Sequence, residues 1–199
     1  MNKIVKFAAA ALAFGFLATS AMADNGGLYG DDVVITPVSV SANTDVDAST
    51  AYSAVKRGKI VKFSTGAAPG SIIIRTKEHA LYFVLGNGKA VKYRVATAKK
   101  GFEWAGVHKV SSKTQWPDWR PPTEMRVRHP ELPSFMKGGV KNPLGARAMY
   151  LGSSIYRIHG TNDPKSIGKA ASSGCIRMLN DDVTELYTLV KVGAEVTVL

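Results

Sequence analysis

The chain has 199 residues, a formal net charge of +11, 45% hydrophobic residues and a single cysteine. That length suits one domain carrying an extension, and one thiol excludes a disulfide scaffold within the monomer. Gly has no triplet period and only one long apolar run occurs, so collagen-like, coiled-coil and multi-span membrane classes are excluded as well.

The apolar run comes first. Lys3 and Lys6 precede an apolar stretch over residues 7–18, and Ala21-Met22-Ala23 forms an A-x-A cleavage signal. The stretch is about half of the roughly 20 residues that a spanning helix needs. Residues 1–23 therefore read as a cleaved secretory signal, with an uncleaved anchor as the alternative. No transmembrane span is expected after cleavage, and the mature protein is expected in the periplasm or cell envelope. In an oxidising compartment an unpaired thiol must be buried, protected or used, so Cys175 needs a role.

Residues 24–66 read as a flexible acidic and polar extension. Asp24, Asp31, Asp32, Asp45 and Asp47 fall in a stretch without Lys or Arg, and large apolar side chains are few. From Lys56 onward the balance reverses to 24 basic and 10 acidic residues. The ordered domain is expected over residues 67–199.

Within that domain, Ser71-Ile72-Ile73-Ile74-Arg75 has the β-branched run of a buried strand, and residues 79–85 form a second apolar segment. Gly86-Asn87-Gly88 supplies the positive φ angles of a tight hairpin, so residues 91–96 should pair back. Residues 148–151, 155–158 and 195–199 give three more short strands. One helix is expected, capped by Asn180, with Asp181 and Asp182 at its positive end and Val183, Leu186, Tyr187 and Val190 on one face. Gly193 is the expected stop. Many short strands and one late helix predict a mainly β domain, a sandwich or a closed sheet. Trp116-Pro117-Asp118-Trp119-Arg120-Pro121-Pro122 and Lys137-Gly138-Gly139-Val140-Lys141-Asn142-Pro143-Leu144-Gly145 are irregular, either walls of a binding site or surface connectors.

The chemistry concentrates in Ile158-His159-Gly160-Thr161 and Ser172-Ser173-Gly174-Cys175-Ile176-Arg177-Met178. Cys175 follows small residues, where a substrate carbonyl can approach sulfur and backbone N–H groups can meet an oxyanion. A thiol attacks as thiolate, so it needs a lowered pKa or a base beside it. His159, at the end of an expected strand, fits the base. Lys165, Lys169 and Arg177 are expected to favour the thiolate. His79, His108 and His129 read as structural or surface groups. No cluster of His, Cys and acids has metal-ligand spacing, so no metal or other cofactor is expected. A nucleic-acid binder is disfavoured, because the signal points to export and the basic residues are scattered.

These two motifs, with Asn142-Pro143-Leu144-Gly145, Ala148-Met149-Tyr150-Leu151-Gly152 and Trp119-Arg120-Pro121-Pro122, resemble the L,D-transpeptidase catalytic domains of bacterial cell-wall enzymes. The resemblance implies a β-sandwich with long active-site loops, Cys175 as nucleophile, His159 as general base and the Gly160 carbonyl as its orienting partner. It also implies Gly174, Ser173, Arg177 and Thr161 as oxyanion or substrate-binding residues. Many members carry His where this chain has Ser173, a departure that bears on local pKa tuning and substrate contacts. The implied reaction joins Cys175 to the third residue of a peptidoglycan tetrapeptide stem, releases D-alanine and transfers the acyl group to an amine of another stem. Water as acceptor would make an L,D-carboxypeptidase, and a Lys of an envelope protein would give covalent tethering to peptidoglycan. A non-catalytic cell-wall binding module is the rival of another class.

Overall fold

The structure is a computed structural model that describes residues 53–199. The expected signal and most of the expected extension lie outside the described residues.

Among the described residues, eleven strands and two complete helices follow in chain order: β1 (Lys59–Lys62), β2 (Ile72–Arg75), β3 (Ala80–Gly86), β4 (Lys89–Arg94), β5 (Thr97–Ala98), β6 (Gly106–Gln115), α1 (Thr123–Arg128), β7 (Arg147–Leu151), β8 (Arg157–His159), β9 (Ala170–Ser172), β10 (Ile176–Arg177), α2 (Asn180–Leu189) and β11 (Glu195–Val198). Nine strands form one sheet in the order β1-β4-β3-β2-β11-β6-β7-β8-β10, and β5 pairs with β9. The mainly β class is as expected. β1 lies upstream of Ala67, so the sheet begins earlier in the chain than the sequence reading opens the domain.

The β3–β4 hairpin closes through Asn87 and Gly88, with φ of 50° and 66°, between partners Gly86 and Lys89. Two consecutive positive φ angles are what a two-residue hairpin loop needs to match strand twist. β2 reads as a continuous apolar run because both its faces are covered. Ile72 and Ile74 enter the main core, while Ile73 joins a second cluster with Phe63, Tyr82 and Val84. A strand buried on both sides has no polar face to alternate with.

β6 is the strand on which the sheet turns. Its first residues pair with β11, and from Val110 onward it pairs with β7, with a register shift between Val110 and Ser112. At the far edge, Arg177 of β10 pairs with Ala96, just beyond β4, through two backbone hydrogen bonds of 2.8 and 3.0 Å. The two arms of the sheet thereby enclose one core, to which β2, β3, β4, β7, β8, β10 and α2 all contribute.

The helix α2 departs from the sequence reading at both ends. Asn180 is its first residue instead of its cap, since Leu179 takes the N-cap position. Gly193 does not end it. The chain becomes extended at Val190, and Lys113 Nζ donates to the carbonyls of Tyr187 (2.6 Å) and Val190 (2.5 Å). A cation at the helix C-terminus satisfies orphan carbonyls and complements the dipole, which is the task a terminal glycine usually shares. Gly193 instead serves the tight turn into β11 with φ of 90°. A second helix, α1, was not expected; it is six residues long and none of its side chains is buried.

Upstream of β1, the Glu185 carboxylate of α2 accepts the backbone N–H groups of Lys56 (2.5 Å), Arg57 (2.7 Å) and Gly58 (2.9 Å), and the Tyr93 hydroxyl (2.8 Å). Four donors on one carboxylate hold its pKa below the usual value against the opposing effect of burial.

Candidate active site

The site is built on the short parallel pair β8–β10. Ile158 faces Ile176 and His159 faces Arg177. Side chains alternate across a strand, so Ile158 and Ile176 point into the core, where both are buried. Arg157, His159, Cys175 and Arg177 are thereby directed to the other face, and all four line one cavity of about 330 Å³. The sequence pairs a histidine and a cysteine 16 positions apart; the parallel register makes them diagonal neighbours.

His159 is 4% exposed, and its Nδ1 lies 2.6 Å from the Gly160 carbonyl oxygen. A carbonyl only accepts, so Nδ1 carries the proton and Nε2 keeps the lone pair. Burial lowers the imidazole pKa to about 3, and the Arg177 and Arg157 charges push the same way, against the opposing influence of the Gly160 and Leu144 carbonyls. The ring is neutral at physiological pH, fixed in one tautomer, with an acceptor nitrogen available.

Cys175 is partly accessible, and its sulfur lies 3.9 Å from the Ile155 carbonyl oxygen, in reach of a weak S–H donation. Burial pushes the thiol pKa up. Arg157 opposes this through its charge, its backbone N–H and its guanidinium, and Arg177 opposes it through its charge. The resting pair is thus a neutral thiol and a neutral imidazole. Of the two routes open to such a thiol, a lowered pKa or a base beside it, this arrangement relies on the base; of the three cations expected to favour the thiolate, Arg177 acts on the sulfur through its charge. Lys165 and Lys169 are exposed, and the strongest influence favouring the thiolate comes from Arg157, absent from the sequence reading.

Gly160 has a structural reason beyond its carbonyl. A Cβ there would lie 2.2 Å from Asn180 Oδ1. Asn180 fills that space to accept the N–H groups of Ala146 (3.0 Å) and Thr161 (3.1 Å) and to donate to the Thr161 carbonyl (3.0 Å). One amide therefore ties α2, the segment before β7 and the segment after β8 together, directly behind the histidine.

The irregular stretches form the cavity walls. Trp119, Pro122, Pro143 and Leu144 line it, joined by Met125 and Arg128 of α1. Asn142, 1% exposed, bonds the carbonyls of Pro117 (3.0 Å), Met136 and Lys137 (both 3.2 Å) and receives the Leu144 N–H (2.9 Å), so one buried side chain joins both stretches. His129 also lines the cavity, although the sequence reading gave it no site context.

Not every expected residue reaches the cavity. Ser173 and Arg177 do. Thr161 is buried behind the site, where its Oγ1 accepts the Asp163 N–H, and it lines a separate hollow beside Asn180. The Gly174 N–H, expected to face an oxyanion, donates to Ser172 Oγ at 3.1 Å. Among the described residues no group of three His, Cys, Asp or Glu side chains is arranged to hold a metal, and no helix is long and apolar enough to cross a membrane.

Residues 69–198 match the YkuD family, the L,D-transpeptidase catalytic domain. Over 137 residues the chain is 34% identical to an Escherichia coli (strain K12) protein named Probable L,D-transpeptidase ErfK/SrfK. That match covers 64% of this chain and 43% of that protein, so the chain spans less than half of its relative's length. Among solved structures, an L,D-transpeptidase from Mycobacterium smegmatis superposes with a TM-score of 0.52 at 17% identity, covering 72% of this chain and 68% of that one. A mutant Enterococcus faecium L,D-transpeptidase gives 0.52 at 17% identity, covering 66% and 50%. These two likenesses concern the fold.

Proposed function

The chain belongs to the L,D-transpeptidase catalytic-domain family, and on that premise we propose that it is a cysteine acyltransferase acting on peptidoglycan stem peptides, with Cys175 as nucleophile and His159 as general base. One observation carries the assignment. The Nδ1 bond to Gly160 leaves Nε2 as the only basic atom of a buried ring that shares a cavity with the sulfur. The cavity also holds Lys99, Arg128, Arg157 and Arg177, with no Asp or Glu among the described residues that line it, a field that suits a peptide bearing free carboxylates.

In this reading the thiol proton passes to Nε2 as sulfur attacks the carbonyl of the third stem residue, because neither group is charged at rest. The tetrahedral intermediate collapses by breaking the bond to the terminal D-alanine, whose nitrogen takes the proton from the imidazolium. A thioester remains on Cys175. An amine of a second stem then attacks it, gives its proton to Nε2, and sulfur leaves as thiolate to recover that proton. Arg157 and Arg177 favour sulfur at the two moments when it is negative. Such a substrate lies outside the cytoplasm, in accord with the export signal read over residues 1–23.

The test is to incubate the protein with a purified disaccharide tetrapeptide, alone and with an amine acceptor, and to identify products by mass. The expected result is D-alanine release, with a cross-linked product when the amine is present. Hydrolysed tripeptide alone would make the enzyme an L,D-carboxypeptidase. Turnover retained in Cys175→Ala would overturn the assignment, and binding to sacculi without any turnover would make the domain a wall-binding module.

A further inference from the structure

The nucleophile's own peptide unit is gripped from outside the cavity. Trp104 Nε1–H donates to the Gly174 carbonyl oxygen at 2.7 Å. Its indole stacks on Tyr156 with centroids 4.2 Å apart and planes within 5°, and His108 meets it edge-on at 5.3 Å. Gly174 has φ of 112°, and a Cβ on it would come 2.6 Å from Tyr156 Cε1. Glycine is therefore required where the chain crosses these rings, and glycine alone would let the adjoining peptide rock.

The unit held is the Gly174–Cys175 amide. Its peptide bond is trans, so its C=O and N–H point in opposite directions within one plane. Fixing the carbonyl on the indole directs the Cys175 N–H away from Trp104. The neighbouring Gly174 N–H is already bonded to Ser172 Oγ, while among the described residues no side chain or loop carbonyl takes the Cys175 N–H. Trp104 itself does not line the cavity.

We propose that Trp104 is a positioning residue for acyl transfer: by holding the Gly174 carbonyl it aims the Cys175 N–H at the oxygen of the attacked carbonyl. A donor set before the reaction stabilises a developing oxyanion without reorganising when charge appears. This inference rests on the reading of Cys175 as an acyl-transfer nucleophile, and it predicts that only reactions passing through an oxyanion depend on the indole N–H.

That selectivity is the test. Iodoacetamide alkylates sulfur at a saturated carbon, forming C–S and expelling iodide, and no oxyanion arises. D-alanine release from the tetrapeptide passes through one. Trp104→Phe keeps a ring on Tyr156 and removes the donor. Benzothienylalanine at position 104, with sulfur in place of N–H, preserves the indole shape should Phe pack badly. In both variants the rate and pH profile of Cys175 alkylation should stay within about twofold of the parent, while kcat for D-alanine release falls roughly ten- to a hundredfold with little change in KM. Unchanged kcat beside a working parent overturns this inference alone, as does a parallel loss of alkylation, which would make Trp104 a support for the fold of the turn. A parent that is alkylated yet releases no D-alanine overturns the acyl-transfer reading, and this inference with it.

Discussion

Arg157 stands beside Cys175 with its Nε fully buried and unpaired among the described residues, and it is the strongest influence drawing the thiol toward its ionised form. Its guanidinium also lies over the Tyr150 ring at 5.3 Å. A buried guanidinium N–H without an acceptor is costly unless an anion is present for part of the cycle. A thiolate, or a tetrahedral oxyanion next to it, is such an anion.

Arg157→Gln should therefore raise the apparent pKa of Cys175 further and slow its alkylation several-fold at neutral pH. Arg157→Lys, which keeps the charge, should recover part of the loss. The pH dependence of iodoacetamide labelling followed by mass checks this. An unchanged profile in the Gln variant would remove Arg157 from the site.

His159 predicts an acid sensitivity with a definite window. Unfolded, the ring takes a proton below about 6.5, whereas the folded ring resists until about 3. Between those values the unfolded chain binds a proton that the folded one excludes, so stability falls as pH drops through the window and is unaffected by this group above it. Urea midpoints measured from pH 7 to pH 4 should decline, and His159→Gln should flatten the decline. Equal slopes in the two proteins would show that the ring is not buried neutral.

Asn180 should matter to both fold and activity, although no part of it enters the cavity. Asn180→Ala leaves the N–H groups of Ala146 and Thr161 and the Thr161 carbonyl without partners. The expected cost is about 1–3 kcal/mol. Because Gly160 packs against the same side chain, kcat should drop more than KM rises. A lowered melting temperature with unaltered kcat would confine Asn180 to a scaffolding role.

What the sequence disclosed, and what it hid, follows from the range of each interaction. The β3–β4 hairpin was legible because Asn87 and Gly88 encode its turn locally, and β2 because apolar covering on both faces leaves an uninterrupted hydrophobic run. β6 was not legible. It is central in the sheet, yet only Val110 among its ten residues is buried, so backbone pairing on both edges forms the strand without any apolar alternation. Asn180 before two acids imitates a helix cap, and only the arrival of Ala146 and Thr161, 34 and 19 residues away, reassigns its side chain. Cys175 and His159 stood out through the small residues around one and the turn after the other. Arg157 and Trp104 did not, because an arginine in a strand and a tryptophan in a loop look ordinary until the register of β8 with β10, or a bond across 70 residues, brings them to the cysteine.

The place of β11 has a consequence for how the molecule comes into being. It lies between β2, with which it is parallel, and β6, so the two arms of the sheet acquire their seam only when residues 195–198 are in hand. Closing a contact between Ile72 and Val196 carries a large entropic delay compared with forming a hairpin. The β3–β4 hairpin, closed by its own two-residue turn, therefore forms ahead of the seam, and the sheet stays open between β2 and β6 until residues 195–198 take their place.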